Sequence, residues 1–321
     1  MKATPRKLFF LVQFLLPYFS RTEFCYESHG SILYNLVLIG HAYKSFLTRG
    51  ILNCGQRCLA DTRCTSYNYQ TSAIKNGVCE LNENRVERRE LFEEKPGFAF
   101  VRMRRKTKTR SCLEAWKQGT RASGLYFMQG RSECLLYEMF CDFSSEPGWA
   151  WTLVMSQSLE RRSEPFAKGS FPAGGSKKQR NPNWEGYRIG GSRMRIVKAQ
   201  SSHWRITCDF PTYGVDHRDY VRAAFINLNP LKYKASGECR EMEYINIRGR
   251  NCSQCTAAWW QTTSQQLTHF SDLDGCQLGK IDGSLDNEAN FGGYWKNNFS
   301  SEFRCSSKET SSTNLWFGGR V

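Results

Sequence analysis

ILNCGQRCLADTRCTSYNYQTSAIKNGVCELN, residues 51–82, decides how the first part of the chain folds. Cys54 and Cys58 stand four apart among helix-compatible residues, so they emerge on one face of a helix, one turn apart. Both then reach neighbouring strands. CTSYNYQ (64–70) alternates as a strand does, with Cys64 at its start, and Cys79-Glu80-Leu81-Asn82 follows a turn signalled by Asn76-Gly77. The spacing C-x3-C-x5-C-x14-C is not that of a zinc site, which needs paired C-x2-C knuckles or accompanying histidines.

Outward from this stretch, the chain begins with Lys2, Arg6 and Lys7 ahead of the apolar run LFFLVQFLL, and turns polar at Ser20. That is the layout of a secretory signal peptide over residues 1–20. A membrane anchor would need about 18 to 20 continuous apolar residues, and this run is broken by Gln13 and stopped by Pro17. ILYNLVLIG (32–40) is only the length of a strand, so no stable membrane span is expected. The expected location is extracellular.

Fourteen cysteines, all beyond the leader, form an even set, and in an exported chain disulfides are their default use. Asn251-Cys252-Ser253 and Asn298-Phe299-Ser300 match the glycosylation acceptor pattern. Lys and Arg outnumber Asp and Glu by 45 to 30, a net charge of +15, which favours acidic glycan, acidic matrix protein or an anionic surface as partner. Export argues against nucleic acid. VRMRRKTKTR (101–110) carries six basic residues and no acidic one. A solvated basic linker at 104–110 is expected there, with a heparin-like contact patch or a proteolytic cleavage site as the alternatives.

The 51–82 stretch resembles the PAN/apple family, in which a central helix is stapled to a small antiparallel sheet. The resemblance spans residues 25–103. It implies the pairs Cys54 with Cys79 and Cys58 with Cys64, and a module that binds protein or carbohydrate without catalytic residues. Cys25 finds no mate near residue 100, which leaves Cys112 or Cys134 as candidates beyond the linker.

Downstream, Ser123-Gly124-Leu125-Tyr126 predicts a turn feeding a strand. Strands are also expected over Cys134–Phe143 and Trp151–Val154, with a Pro147-Gly148 turn between them. Cys112, Ser123, Gly124, Tyr126, Cys141, Asp142, Gly148, Trp151, Thr152 and Val154 together resemble the start of a fibrinogen C-terminal domain. This divergent resemblance covers residues 111–321, clearest at both ends, and implies a Cys112–Cys141 bridge with Cys134 unexplained. The resulting expectation is an α+β, disulfide-rich chain of a small PAN/apple module followed by a larger fibrinogen-like module. Secreted cnidarian proteins, some in coral skeletal organic matrix, combine similar modules.

Fibrinogen-like domains commonly hold calcium through an Asp-x-Asp loop. Here Asp272, Asp274, Asp282 and Asp286 offer the oxygen ligands a hard cation needs, but they follow Cys252 and Cys255, where the family places them before; an acidic surface loop is the plainer reading. Cys252-x-x-Cys255 could be a redox pair or half of a zinc knuckle, but with no second knuckle in an exported chain structural bridges are the expectation, often to different partners for two such neighbours. Trp259 and Trp260 could form an aromatic ligand platform or simply fill the core. The histidines at 29, 41, 203, 217 and 269 are scattered, and Gly190-Gly191-Ser192 is not a nucleophile elbow. The function expected is therefore a non-catalytic extracellular binding or matrix protein; a soluble lectin-like recognition or defence protein is the alternative.

Overall fold

The computed structural model describes residues 31–83, 91–103, 105–106, 109–130, 136–173 and 175–321. The expected signal segment (1–20), Cys25 and Cys134 lie outside the described residues. Six strand and helix segments build the first unit: β1 (Ser31–Leu38), β2 (Ala42–Thr48), α1 (Ile51–Ala60), β3 (Cys64–Gln70), β4 (Gly77–Glu83) and β5 (Phe92–Arg102). The strands form an antiparallel sheet in the order β1-β5-β3-β4-β2. Helix α1 buries Cys54, Gly55 and Cys58 against it. Cys54 is bonded to Cys79 on β4, and Cys58 to Cys64 at the start of β3. One helix face is thus pinned to two strands.

Two tyrosines one repeat apart on β3 support the start of α1, which has no side-chain cap. The Tyr69 hydroxyl accepts the Gly50 N–H at 2.9 Å and donates to the Thr48 carbonyl at 3.3 Å. Tyr67 donates to the Ile51 carbonyl at 3.2 Å. On the opposite face of β3, the buried Asn68 amide meets both the N–H and the C=O of Leu38 at 2.9 Å. Both faces of the central strand are therefore satisfied, as buried polar groups require.

The second unit contains β6 (Arg105–Lys106), α2 (Cys112–Lys117), β7 (Gly124–Gln129), β8 (Leu136–Asp142), β9 (Trp149–Ser158), α3 (Pro165–Lys168), β10 (Gly186–Arg188), α4 (Gly191–Ala199), β11 (His203–Cys208), α5 (Phe210–Tyr213), β12 (Tyr220–Ala224), β13 (Ala235–Ile247), β14 (Arg250–Thr262), β15 (Gln265–Phe270), β16 (Ala289–Asn290) and β17 (Ser312–Arg320). Its sheet runs β16-β15-β14-β13-β12-β11-β17-β9-β8-β7-β6, with β10 also on β9. The final strand, β17, inserts between β11 and β9, and its first eight residues are all buried. Gly318 is needed there, because a Cβ would lie 2.1 Å from the Ala150 carbonyl oxygen. The core behind it holds the fully buried Trp151, Trp204, Trp259 and Trp316.

The expected strands at 134–143 and 151–154 correspond to β8 and β9, joined by a turn through Pro147-Gly148. Two expectations need correction. Sheet dominates the chain at 44% strand against 14% helix, so the α+β description suits only the first unit; besides α1 and α4, the described α-helices are shorter than two turns. The basic stretch is also not wholly a solvated linker. Arg105 and Lys106 pair in parallel with Tyr126 and Phe127 on β7, satisfying backbone groups that a free linker would leave to water.

Candidate functional site

The outer side of α1 and the edge strand β2 enclose an open groove of about 630 Å³. Lys44, Phe46 and Leu47 come from β2, Arg57 from α1, and Asp61 and Thr62 from the turn after the helix. The two disulfides determine this arrangement: the helix face that carries Cys54 and Cys58 is held inward, so Arg57, the neighbour of Cys58, lies outside. Lys44 and Arg57 each stand 5.9 Å from the Phe46 ring. Leu47 is 65% exposed. The groove thus presents two cations around an aromatic face, with an accessible aliphatic side chain beside them.

At the groove's end, burial raises the Asp61 carboxyl, but the Arg63 N–H, Tyr43 and the charges of Arg63 and Lys44 outweigh it and hold the group below the usual carboxylate range. Burial and the Asp61 carboxylate push the Tyr43 phenol up. Asp61 therefore stays an anion at the groove's end, where the charge of Lys44 helps to keep it so. The groove can attract an acidic ligand and cover an apolar or sugar face, and its lining includes neither histidine nor cysteine.

A second polar constellation lies in the larger sheet, under the β8–β9 turn. Glu146 is 4% exposed and accepts from Trp151 Nε1 and Arg205 Nη1 at 2.9 Å, from the Tyr220 hydroxyl at 3.1 Å, and from Arg222. The His217 imidazole stands 3.7 Å away. The fully buried Arg205 also donates to Asp142 at 2.5 Å, and Arg222 to Glu243 at 2.8 Å. Burial pushes the Glu146 carboxyl up, but His217, Arg205 and Arg222 more than offset this and hold it at about 2.

The network ends in a Ser–His–Glu chain. Ser202 Oγ lies 2.8 Å from His203 Nδ1, and His203 Nε2 lies 2.8 Å from Glu243 Oε1. Sequence reading missed this set because its members are local in space and not in any hydrolase pattern. It has the contacts of a triad but a different setting. Ser202 and His203 are consecutive residues, Glu243 is engaged by Arg222, and the imidazole stands edge-on to Trp149 at 5.0 Å. It lies outside the α1–β2 groove.

The structure distributes the other expected site residues as follows. Cys112 is bonded to Cys141, so Cys112 is not the mate of Cys25. Cys252 and Cys255 do not seek different partners but bond to each other across a short stretch in which Gln254 takes φ 46°. Cys208–Cys305 and Cys239–Cys276 complete the described bridges. Trp259 offers no platform: it is fully buried, edge-on to Trp204 at 5.8 Å, and Trp260 is half-buried against Phe270. The four aspartates are not brought together, and no metal-binding group of three acids, histidines or cysteines occurs among the described residues. Asp272 instead accepts the Asn287 N–H at 2.7 Å and Asp274 the Lys280 N–H at 2.9 Å, closing loop turns. Asp286 offers its backbone carbonyl to Asn298, and the Asp282 carboxylate has no hydrogen-bond partner among the described residues. Asn251 is exposed beside the β13–β14 turn, whereas Asn298 is half-buried.

A helix pinned by two disulfides on an antiparallel sheet, with an open cationic and aromatic groove along it, defines a binding module. The PAN domain family matches residues 29–102, and the chain contains a PAN domain there. Such domains bind protein or carbohydrate in extracellular proteins, and many disulfides are typical of that setting. No curated protein matches the sequence. Among the described residues no helix is long and apolar enough to cross a membrane.

Proposed function

We propose that the protein is a secreted, non-catalytic binding protein that recognises an acidic extracellular protein or glycan through the α1–β2 groove of its PAN domain. The observation that carries this reading is the placement of Lys44 and Arg57, each 5.9 Å from the Phe46 ring centre, in one open groove. The net charge of +15 supports it by drawing acidic polymers to the surface. The larger sheet is read as a divergent fibrinogen C-terminal-like module, on the strength of its opening motif and the Cys112–Cys141 bridge. The combination suits a component of an organic extracellular matrix, including one that surrounds mineral.

Binding of the full chain to immobilised acidic polysaccharide and to acidic matrix protein tests the reading, with the double variant K44E/R57E beside wild type. Salt-sensitive binding that the double variant loses is the expected result. Equal binding by both proteins refutes the groove. The Ser202–His203–Glu243 chain is treated as structural, and hydrolysis of generic esters or peptides that disappears in H203A would overturn the non-catalytic assignment.

A further inference from the structure

A second, smaller cleft lies where the PAN domain meets the larger sheet. Thr65 touches the larger unit at Gly124, where an added Cβ would be 2.8 Å from the Thr65 methyl. Beside that contact, Thr62, Arg63 and Glu83 face Arg121, Ser123 and Ser144 across about 240 Å³. Each unit contributes one arginine, and each arginine is held on an aromatic ring. The Arg63 guanidinium lies 4.2 Å from the Tyr43 ring centre and that of Arg121 lies 4.1 Å from Trp116. Stacking removes much of the freedom a long cation would otherwise lose on binding.

Their donors are not consumed by the protein. Arg121 uses Nη1 on the Trp116 and Thr120 carbonyls, and its Nη2 has no hydrogen-bond partner among the described residues. Arg63 has only a long contact from Nε to Asp61, at 3.9 Å, so both of its η nitrogens remain available among the described residues. The Ser123 and Ser144 hydroxyls are 2.9 Å apart, and Ser123 also accepts the Phe143 N–H. Two guanidinium forks and several hydroxyls suit a sulfate or carboxylate group. Glu83 does not: a carboxylate in the lining repels a bare anion, but it accepts hydrogen bonds from the hydroxyls of a sugar ring. The volume lies below the ~300 Å³ at which pockets for drug-sized ligands begin, which suits one sugar unit.

We infer that this junction cleft binds a single sulfated or carboxylated sugar unit, its anionic substituent on Arg63 and Arg121 and its ring hydroxyls on Glu83. Thr62 lines both this cleft and the α1–β2 groove, so a longer acidic glycan can continue from one into the other. The cleft does not require the groove to be occupied, and the two can fail separately. A sugar held here touches both units and so opposes their separation.

Titration of the full chain with a sulfated uronate-containing disaccharide, its desulfated form and inorganic sulfate tests the assignment. Wild type should bind the sulfated disaccharide at least tenfold more tightly than inorganic sulfate. R63A and R121A should each lower that affinity at least tenfold, and E83Q should weaken the disaccharide but not sulfate. In the K44E/R57E background, which removes the groove's two cations, the disaccharide binding that remains should be lost on adding R63A, which separates this site from the groove. Arg63 is 61% exposed, so R63A should fold even if R121A does not. Wild-type affinity in R63A overturns the proposal. Equal affinity for inorganic sulfate and disaccharide overturns the sugar assignment.

Discussion

Replacing Glu146 by Gln removes the charge at the centre of the buried network while keeping the shape of the side chain. In the native protein the carboxylate faces Arg205 and Arg222 and takes hydrogen bonds from Trp151 and Tyr220. Its ionisation is lowered from 4.5 to about 2 in the folded state. At about 1.4 kcal/mol per pH unit, this corresponds to about 3 kcal/mol of stability, at the low end of the ~3–5 kcal/mol lost when one partner of a buried pair is removed. Because Arg205 keeps Asp142 as a partner, the low end is appropriate. The sign follows from the folded value lying below the unfolded one: the contribution is fully present above about pH 4.5 and is lost as pH falls toward 2. In thermal unfolding, E146Q should melt about 6–12 °C below wild type at neutral pH and show a flatter decline between pH 4.5 and 2. The Arg162–Glu309 pair provides a control, since Glu309 is 62% exposed and E309Q should cost under ~0.5 kcal/mol. A melting point for E146Q within about 2 °C of wild type, or an unchanged acid profile, would refute the reasoning.

Three further outcomes are expected. Trp259→Ala should cost about 3–5 kcal/mol in denaturant unfolding because it empties a fully buried site, whereas Trp260→Ala should cost less and neither should weaken acidic-glycan binding in variants that fold. Non-reducing peptide mapping should recover Cys252 linked to Cys255. The six described bridges use twelve of the fourteen cysteines, so Cys25 should be recovered with Cys134; a free thiol at either would sink that pairing. A calcium chelator should leave the melting point within about 1 °C, because Asp272 and Asp274 are engaged by loop N–H groups; a larger drop would restore a calcium site.

What could be read from the sequence was set by distance along the chain. Cys54, Cys58, Cys64 and Cys79 fall within one helix, two strands and a turn, so periodicity placed the helix and strands that carry the staples. The β8–β9 hairpin was legible for the same reason: both strands and the Pro147-Gly148 turn lie in one short stretch. The basic stretch was harder, because whether Arg105 and Lys106 run free or pair with β7 depends on an edge that sequence does not display. Trp259 and Trp260 show another limit. A strand sends neighbouring side chains to opposite faces, but only the packing of Trp204 and Phe291 around Trp259 reveals which tryptophan is enclosed.

The charged network is the extreme case. Asp142 and Glu146 reach Arg205, Tyr220, Arg222 and Glu243 only because β17, the last strand made, inserts between β9 and β11 and brings the β8–β9 turn over the β11–β13 face. Nothing local marks Glu146 as different from an exposed turn glutamate before Pro147. Its environment is also a poor one for acid–base chemistry. Both Glu146 oxygens are occupied by donors, and a carboxylate held at about 2 is a weak base at neutral pH. Along the Ser–His–Glu chain, burial raises the Glu243 carboxyl, but Arg222 on one oxygen and His203 on the other outweigh it and hold it, too, below the usual carboxylate range. These groups hold the turn to the sheet, whereas Arg63 and Arg121, at the junction of the two units, keep guanidinium nitrogens uncommitted among the described residues.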